Sequence, residues 1–449
     1  MDPNVTEPSV LGALRVALES GTMRTARRMI AGLRPGEIAR LLESLPVAER
    51  RLVWELVDRE SEGEVLVELA DDVRDGLIES MDAAQLIAAT EGMAVDDLAD
   101  LVVDLPEAIT QQVIRSLDGQ DRERLREVLA YPEDSAGGLM DTDTTSVRPD
   151  VSVEVVLRYL RAHSKLPERT DSLIVVNRDD HYAGVLPLTS LLVADPDDLV
   201  ESLMDTDAPA VHAMTGSADV VRLFEDRDLF SVAVIGDDNK LLGRITVDDV
   251  VDVIRDEAEH SLMGAAGLDE DHDLFAPVVQ SAKRRAFWLG INLLTAFLAA
   301  SVVELFQTTI DQVVLLAVLM PIVPSMGGVA GTQSLTIITR AIALGQIEAS
   351  NAWMVLRREF TVGLLNAAFW AVLVAVVTAL WFNTWIIGLL VAIALACNLV
   401  LAAVSGFAIP MILKRLNIDP ALAGGVILTT ITDVVGYGLF LGLGAVFLL

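Results

Sequence analysis

The sequence predicts a multidomain membrane protein, with an all-α N-terminal domain, a tandem α/β pair, a connecting helix and an α-helical membrane domain of five spans. Three observations predict it. At 449 residues the chain exceeds one ordinary domain. It is 52% hydrophobic yet carries a net charge of −32, two properties that one folding unit rarely combines. They also separate along the chain: Ala286 to Leu449 holds six acids and five bases, which leaves a net of −31 in residues 1–285. An acidic field of that size repels nucleic acid and the anionic leaflet and attracts cations, so no nucleic-acid partner is expected.

Residues 1–130 read as helix after helix. Apolar residues recur at spacings of three and four in Ile38 to Leu45, Ala48 to Val57 and Ala83 to Ala89, and LRPGE, LPVAE and LPEAI punctuate them. Helix pairs packed on pairs, in an acidic superhelical domain, are the expected result.

From residue 131 the texture changes to β-branched runs, such as Ser172 to Val176 and Phe230 to Ile235, alternating with helical ones. The sequence LMDTD at residues 139–143 returns at 203–207, 64 residues later. Each copy leads into a helical run, a strand, and a turn to a second strand and helix, so two units are expected, 131–200 and 201–255. A connecting helix over 256–285, starting within the end of the second unit, follows. Asp249, Asp252, Asp256 and Glu259 put a carboxylate stripe on one face of this helical stretch, which reads either as a solvated acidic face or as a cation sensor.

Residues 286–449 hold five apolar runs long enough to cross a hydrocarbon core: Ala286 to Phe306, Val313 to Ile338, Val362 to Trp381, Ile386 to Ile409 and Gly424 to Leu449. Lys283, Arg284 and Arg285 precede the first, Arg340, Arg357 and Arg358 lie between the second and third, and Lys414 and Arg415 between the fourth and fifth. The positive-inside rule then puts the N-terminus in the cytoplasm and the C-terminus outside. The opening MDPNVTEPSV lacks the pattern of a signal peptide, which agrees with a multi-pass protein of the cell (inner) membrane. Cys397, the single cysteine, sits in an apolar run, so an intrachain disulfide is ruled out.

Asp433 lies inside the last run with no base in that span, and a carboxylate at such depth costs about 2.5–3.5 kcal/mol on insertion scales. Thr429, Thr430 and Thr432 add polar oxygen beside it. Three readings stay open: an acid tolerated near an interface, a proton relay, and a cation pathway, for which carboxylate, hydroxyl and carbonyl oxygens are suitable ligands. In the second span Pro321 and Pro324 remove amide donors and should leave the carbonyls of Ala317 and Met320 without helical partners. The small residues from Met326 to Gln333 then serve close helix packing, a polar cavity, or both. The five histidines, His163, His181, His212, His260 and His272, show no paired spacing for zinc, and neither a phosphate-binding Gly-Lys loop nor a nucleophile elbow occurs. No enzymatic activity is expected.

PSMGGVAGTQ in the second span, LNIDPALAGG before the fifth and TTITDVVGYG within it resemble the MgtE family of magnesium channels, and the repeated α/β units resemble a pair of CBS domains. The resemblance covers nearly the whole chain. It implies a homodimer in the lipid bilayer that carries Mg²⁺ inward, with Asp433 of each subunit holding a largely hydrated ion on the dimer axis. It further implies gating by intracellular Mg²⁺ at Glu64, Asp96 and Asp100 of the N-domain, Asp228 and Asp249 of the second CBS unit, Asp252 and Glu257 of the connecting helix, and Asp419 before the last span. Gly243, Thr246 and Asp249 resemble the pattern with which CBS pairs hold a nucleotide ribose, so ATP is a second implied ligand, at one site per subunit because the first copy has Ser190 at the Asp position. The chain departs from the family pattern at Val329, where many members carry Asn, and at Ala218, where an acid is usual. Two other readings are carried forward: a less selective pathway for Co²⁺, Mn²⁺ or Ni²⁺, and a membrane-anchored nucleotide sensor without transport.

Overall fold

The computed structural model describes residues 10–91, 93–162, 166–167, 169–265, 273–348, 350–416 and 418–449. His163, His272 and part of the expected connecting helix lie outside the described residues. The chain forms two compact units, Met1–Glu257 with Asp271–Ala276, and Ala258–Glu270 with Pro277–Leu449.

In the first unit, ten α-helices run from Val10–Glu19 to Gly119–Val128, with a 3₁₀ turn at Arg59–Ser61. They are short because local chemistry ends and restarts them. Pro35 opens one helix, Pro46 and Pro106 stand at the N-caps of two more, and the Asp82 carboxylate accepts from Gln85 N–H at 2.8 Å while Gln85 Oε1 accepts from Asp82 N–H at 2.9 Å. Leu42, Leu66, Leu77 and Leu98 are buried between them. The buried Arg50 donates to both oxygens of Asp273 at 2.9 Å and to the carbonyls of Leu42 and Leu45, which ties the segment after the connecting helix to the helical domain.

The tandem pair follows. Strands β1 (Ser146–Val147), β2 (Ser172–Val176) and β3 (Tyr182–Pro187) make one sheet, and β4 (Ala210–His212), β5 (Ser231–Ile235) and β6 (Leu241–Thr246) the other. In each the first pair is parallel and the second antiparallel, and the register slips at the equivalent place, Val175/Val176 and Val234/Ile235. The repeated LMDTD motifs cross over. Asp141 exchanges backbone hydrogen bonds with Arg244 of β6, and Asp205 with Val185 of β3. Each motif therefore completes the sheet of the other copy. The expected boundary near residue 131 thus assigns the first motif by sequence to a copy whose sheet it does not join. The helix Val247–Ala265 leaves directly from β6, nine residues before the expected start of the connecting helix at 256.

Among the described residues the second unit holds five helices long and apolar enough to cross a membrane, Val278–Leu305, Leu315–Ala343, Ala352–Phe382, Trp385–Arg415 and Ala423–Leu448. Phe287, Leu293, Leu294 and Phe297 on the first, and Leu364, Leu365 and Phe369 on the third, are exposed, as lipid-facing residues must be. The first helix begins eight residues before Ala286 and the third ten before Val362, so Lys283, Arg284, Arg285, Arg357, Arg358 and Glu359 lie within helices. Hydropathy marks only the apolar length, whereas the hydrogen-bonded helix runs on into the polar interface.

The second span interrupts its helical hydrogen bonding at the first proline, as expected: it lapses between Leu315–Leu319 and Ile322–Ala343, while Met320 and Pro321 keep right-handed helical dihedrals. Proline removes donors without turning the chain aside. The fourth span is the most enclosed and packs on the second, third and fifth.

Candidate functional site

The helix Val95–Asp104 presents Asp96, Asp97 and Asp100 toward the start of the connecting helix, where Asp248 and Asp249 lie. Burial first, then the like charges of Asp96 and Asp100, push the Asp97 carboxyl up to about 7, and Arg169 opposes them. Burial likewise pushes Asp249 up to about 7, with Asp248 and Asp96 adding and a hydrogen bond from Thr246 N–H working against them. Asp141, beside the buried Arg244, is pushed up to about 6 by burial and then by Asp96. Asp96 is itself raised by burial, and its Oδ1 is buried with no hydrogen-bond partner among the described residues. Such a set of oxygens suits a hard divalent cation. No three His, Cys, Asp or Glu side chains converge on a common metal position among the described residues.

Of the sequence-predicted acids, Glu64, Asp96, Asp100 and Asp249 belong to this neighbourhood. Asp252 is exposed at the next turn of the connecting helix, where Arg255 sits 3.4 Å from both Asp252 and Asp256 and offsets part of the stripe. Glu257 is exposed farther along. Asp228 has its own backbone reason: it caps the helix Ser217–Arg227 in the left-handed region at φ 52°, which short polar residues tolerate. The described contacts do not bring it to the cluster. Asp419 caps the last span's helix by accepting from Ala421 N–H at 2.9 Å, and its other oxygen lies 2.9 Å from His260 Nε2 on the connecting helix. Sequence reasoning missed Asp97, Asp141, Asp248 and His260. The first three had a signal in their acidic neighbours, but their burial is tertiary.

Thr246 donates through its hydroxyl to Asp248 and, at 3.1 Å, to Asp249, so two of the three expected nucleotide residues, Thr246 and Asp249, already form the N-terminal cap of the connecting helix. Gly243 has a packing reason too, because a Cβ there would stand 2.7 Å from the Asp141 carbonyl. Gly184 makes the matching approach to Asp205 in the first copy.

In the membrane unit Asp433 is partly exposed on the last span. Thr430 donates back to the Val426 carbonyl, and Thr432 is buried and donates to Leu428. Gly331 packs on Leu428, Gly327 lies against Asn398 and Thr432, and Val329 faces away from the unit's core, 59% exposed. Two buried polar residues were missed. Glu359 accepts from Ser334 Oγ at 2.9 Å, and Asn398 donates to the Val323 carbonyl at 2.9 Å. A lone amide in a 31-residue apolar helix was the available signal for the second.

Five apolar spans with one carboxylate deep in the last are the parts of a cation transporter. Family models agree: a divalent cation transporter model, MgtE, matches residues 320–443, the MgtE intracellular N domain 33–134, and CBS domains 136–197 and 200–256. The chain belongs to the MgtE family. It is 28% identical over 450 residues to the magnesium transporter MgtE of Bacillus subtilis (strain 168), covering 100% of this chain and 99% of that one. It is 29% identical over 447 residues to the magnesium transporter MgtE of Thermus thermophilus, covering 98% and 99%. Its fold is similar to a crystal structure of the cytosolic domain of the Mg²⁺ channel MgtE in complex with ATP, with a TM-score of 0.50 at 31% identity over 54% of this chain and 99% of that one.

Proposed function

We propose that the chain mediates Mg²⁺ influx across the cell membrane as a homodimer, with a cytoplasmic N-terminus, and that intracellular Mg²⁺ closes it. The cation passes Asp433, where its water is largely kept because Mg²⁺ dehydrates reluctantly. The observation that carries the gating is the crowding of Asp96, Asp97, Asp100, Asp248 and Asp249 between the helical domain and the connecting helix. Ionised, these groups repel one another and oppose the packed arrangement. Bound Mg²⁺ removes that opposition and favours the compact, closed form, and when the ion leaves, repulsion opens it. A ligand shifts such an equilibrium only by its differential affinity for the two forms, which several shared carboxylates provide. Asp252 and Glu257 extend the acidic surface along the connecting helix, Asp419 meets that helix at His260, and Asp228 is a separate sensor acid.

A nucleotide reading has one supporting observation, the close grouping of Thr246 and Asp249 behind Gly243. ATP held there would use the carboxylate that the cation also needs, so the two ligands are linked. The test is Mg²⁺ influx into proteoliposomes against internal Mg²⁺, for the native chain and Asp96→Asn/Asp249→Asn. The native flux should fall as internal Mg²⁺ rises, and the double variant should need about tenfold more for the same closure, the size of one lost charge-assisted interaction. Superimposable curves would remove the gating role, and a native curve that ATP does not move would remove the nucleotide.

A further inference from the structure

Arg169 stands just before β2 with φ at 55°, in the left-handed region that long side chains rarely adopt. A backbone outlier of this kind persists where its surroundings hold it, and such positions cluster at functional sites. Its guanidinium Nη1 lies 2.5 Å from Oδ2 of Asp248, the second residue of the connecting helix. The contact ties the first copy of the tandem pair to the head of that helix. The same charge reaches a second acid, for Arg169 holds the Asp97 carboxyl down against burial, Asp96 and Asp100, which push it up. One arginine therefore acts on acids from both helices of the crowded junction.

Arg244 and Arg169 both offset this negative charge, but they differ in freedom. Arg244 is 6% exposed within β6, 3.7 Å from Asp141, and a buried guanidinium leaves its carboxylate only at high cost. The Arg169 side chain is 59% exposed and that of Asp248 30%. A pair so open to water parts easily, because solvent replaces most of what the contact supplies. Arg169 is thus an exchangeable cation, tethered where a divalent cation from solution would have to bind.

We propose that Arg169 is a built-in competitor of Mg²⁺ at Asp248 and thereby sets the Mg²⁺ concentration to which the acidic junction responds. This rests on the reading in which the crowded acids sense Mg²⁺. The ion pair stabilises the packed form only while Mg²⁺ is absent. Once Mg²⁺ holds the carboxylate, the guanidinium turns into water and contributes nothing. Deleting its charge therefore leaves the loaded form unaltered and destabilises the unloaded one, so Mg²⁺ binds more tightly.

The test is calorimetric titration of the full chain with MgCl₂, for the native protein, Arg169→Asn, Arg169→Lys and Asp96→Asn/Asp249→Asn. Asparagine is neutral and tolerates the left-handed dihedral, so that substitution adds no backbone strain. Arg169→Asn should bind Mg²⁺ about two- to fivefold more tightly, the equivalent of one exposed ion pair, while Arg169→Lys, which keeps the charge, stays close to native. An Arg169→Asn affinity equal to or weaker than the native one overturns the inference. So does tighter binding shared by Arg169→Lys, which would trace the gain to the backbone and not to the charge. In either case weakened binding by Asp96→Asn/Asp249→Asn leaves the sensor reading intact. Native affinity in that double variant overturns the sensor reading instead, and the inference with it.

Discussion

Asp97 and Asp249 show how one residue type takes different roles by placement. Both carboxyls are pushed up to about 7, by burial first and by neighbouring acids second, whereas the exposed Asp150, hydrogen-bonded to Arg178, is held below the usual range. A carboxyl raised in the packed state binds its proton there more tightly than in the open chain. The packed arrangement thus gains from protonation as pH falls through about 7 and loses that gain as pH rises above it. On the proposed reading Mg²⁺ has to displace those protons, so its affinity should drop by about tenfold or more between pH 8 and pH 6. Calorimetric titration of the chain at the two pH values checks this, with Glu64, Asp96, Asp100, Asp248, Arg169 and Arg244 as the facing groups. An affinity independent of pH would mean that these carboxyls are not where Mg²⁺ binds. Acidity itself was legible in the stretch Val95 to Asp100 and in Asp248-Asp249. Which of those acids would be enclosed was not, because enclosure depends on the approach of two helices far apart in sequence.

The element scale is where repetition mattered most. The two LMDTD motifs announce a duplicated unit, and both copies show the same strand pairing and the same register slip. The crossover of the motifs was hidden, since sequence order says nothing about which sheet a leading segment joins. Gly184, at φ 146°, and Gly243 record it, for each lets a backbone carbonyl from the other motif come close. Gly184→Ala adds both a strained dihedral and a clash, and should destabilise the first unit by about 2–4 kcal/mol. A fall in the thermal midpoint of the full chain measures it, and an unchanged midpoint would mean that the crossover pairing does not support the fold. Among the spans, the apolar lengths were legible, but their helical ends were not, because Lys283 to Arg285 and Arg357 to Glu359 continue the helix without contributing hydropathy. The lapse of the second span at Met320 and Pro321 was legible from the prolines, and the helical dihedrals kept there were not.

Taken whole, the molecule divides its labour, on the proposed reading, as its charge already divides. The acidic first unit senses, and the apolar second unit conducts. The chain leaves the first unit within the connecting helix Val247–Ala265 and again at Pro277, four residues after Asp273, which Arg50 holds in the helical domain. The direction of this arrangement, acidic unit first and spans after, was legible from composition alone. The polar residues inside the membrane unit were harder to weigh. Asp433 drew notice because a lone acid there has a cost, while Asn398 and Glu359 gained meaning only once their partners, Val323 and Ser334, were placed.

The central claim is a Mg²⁺ path past Asp433, and its most direct measurement is Mg²⁺ uptake into proteoliposomes, read with an internal Mg²⁺ dye at low internal Mg²⁺, for the native chain and Asp433→Ala at matched amounts of folded protein. The account predicts uptake by the native chain and none above the lipid background by the variant. Equal uptake by both would place the path elsewhere, and no uptake by either would leave a membrane-anchored sensor in place of a transporter.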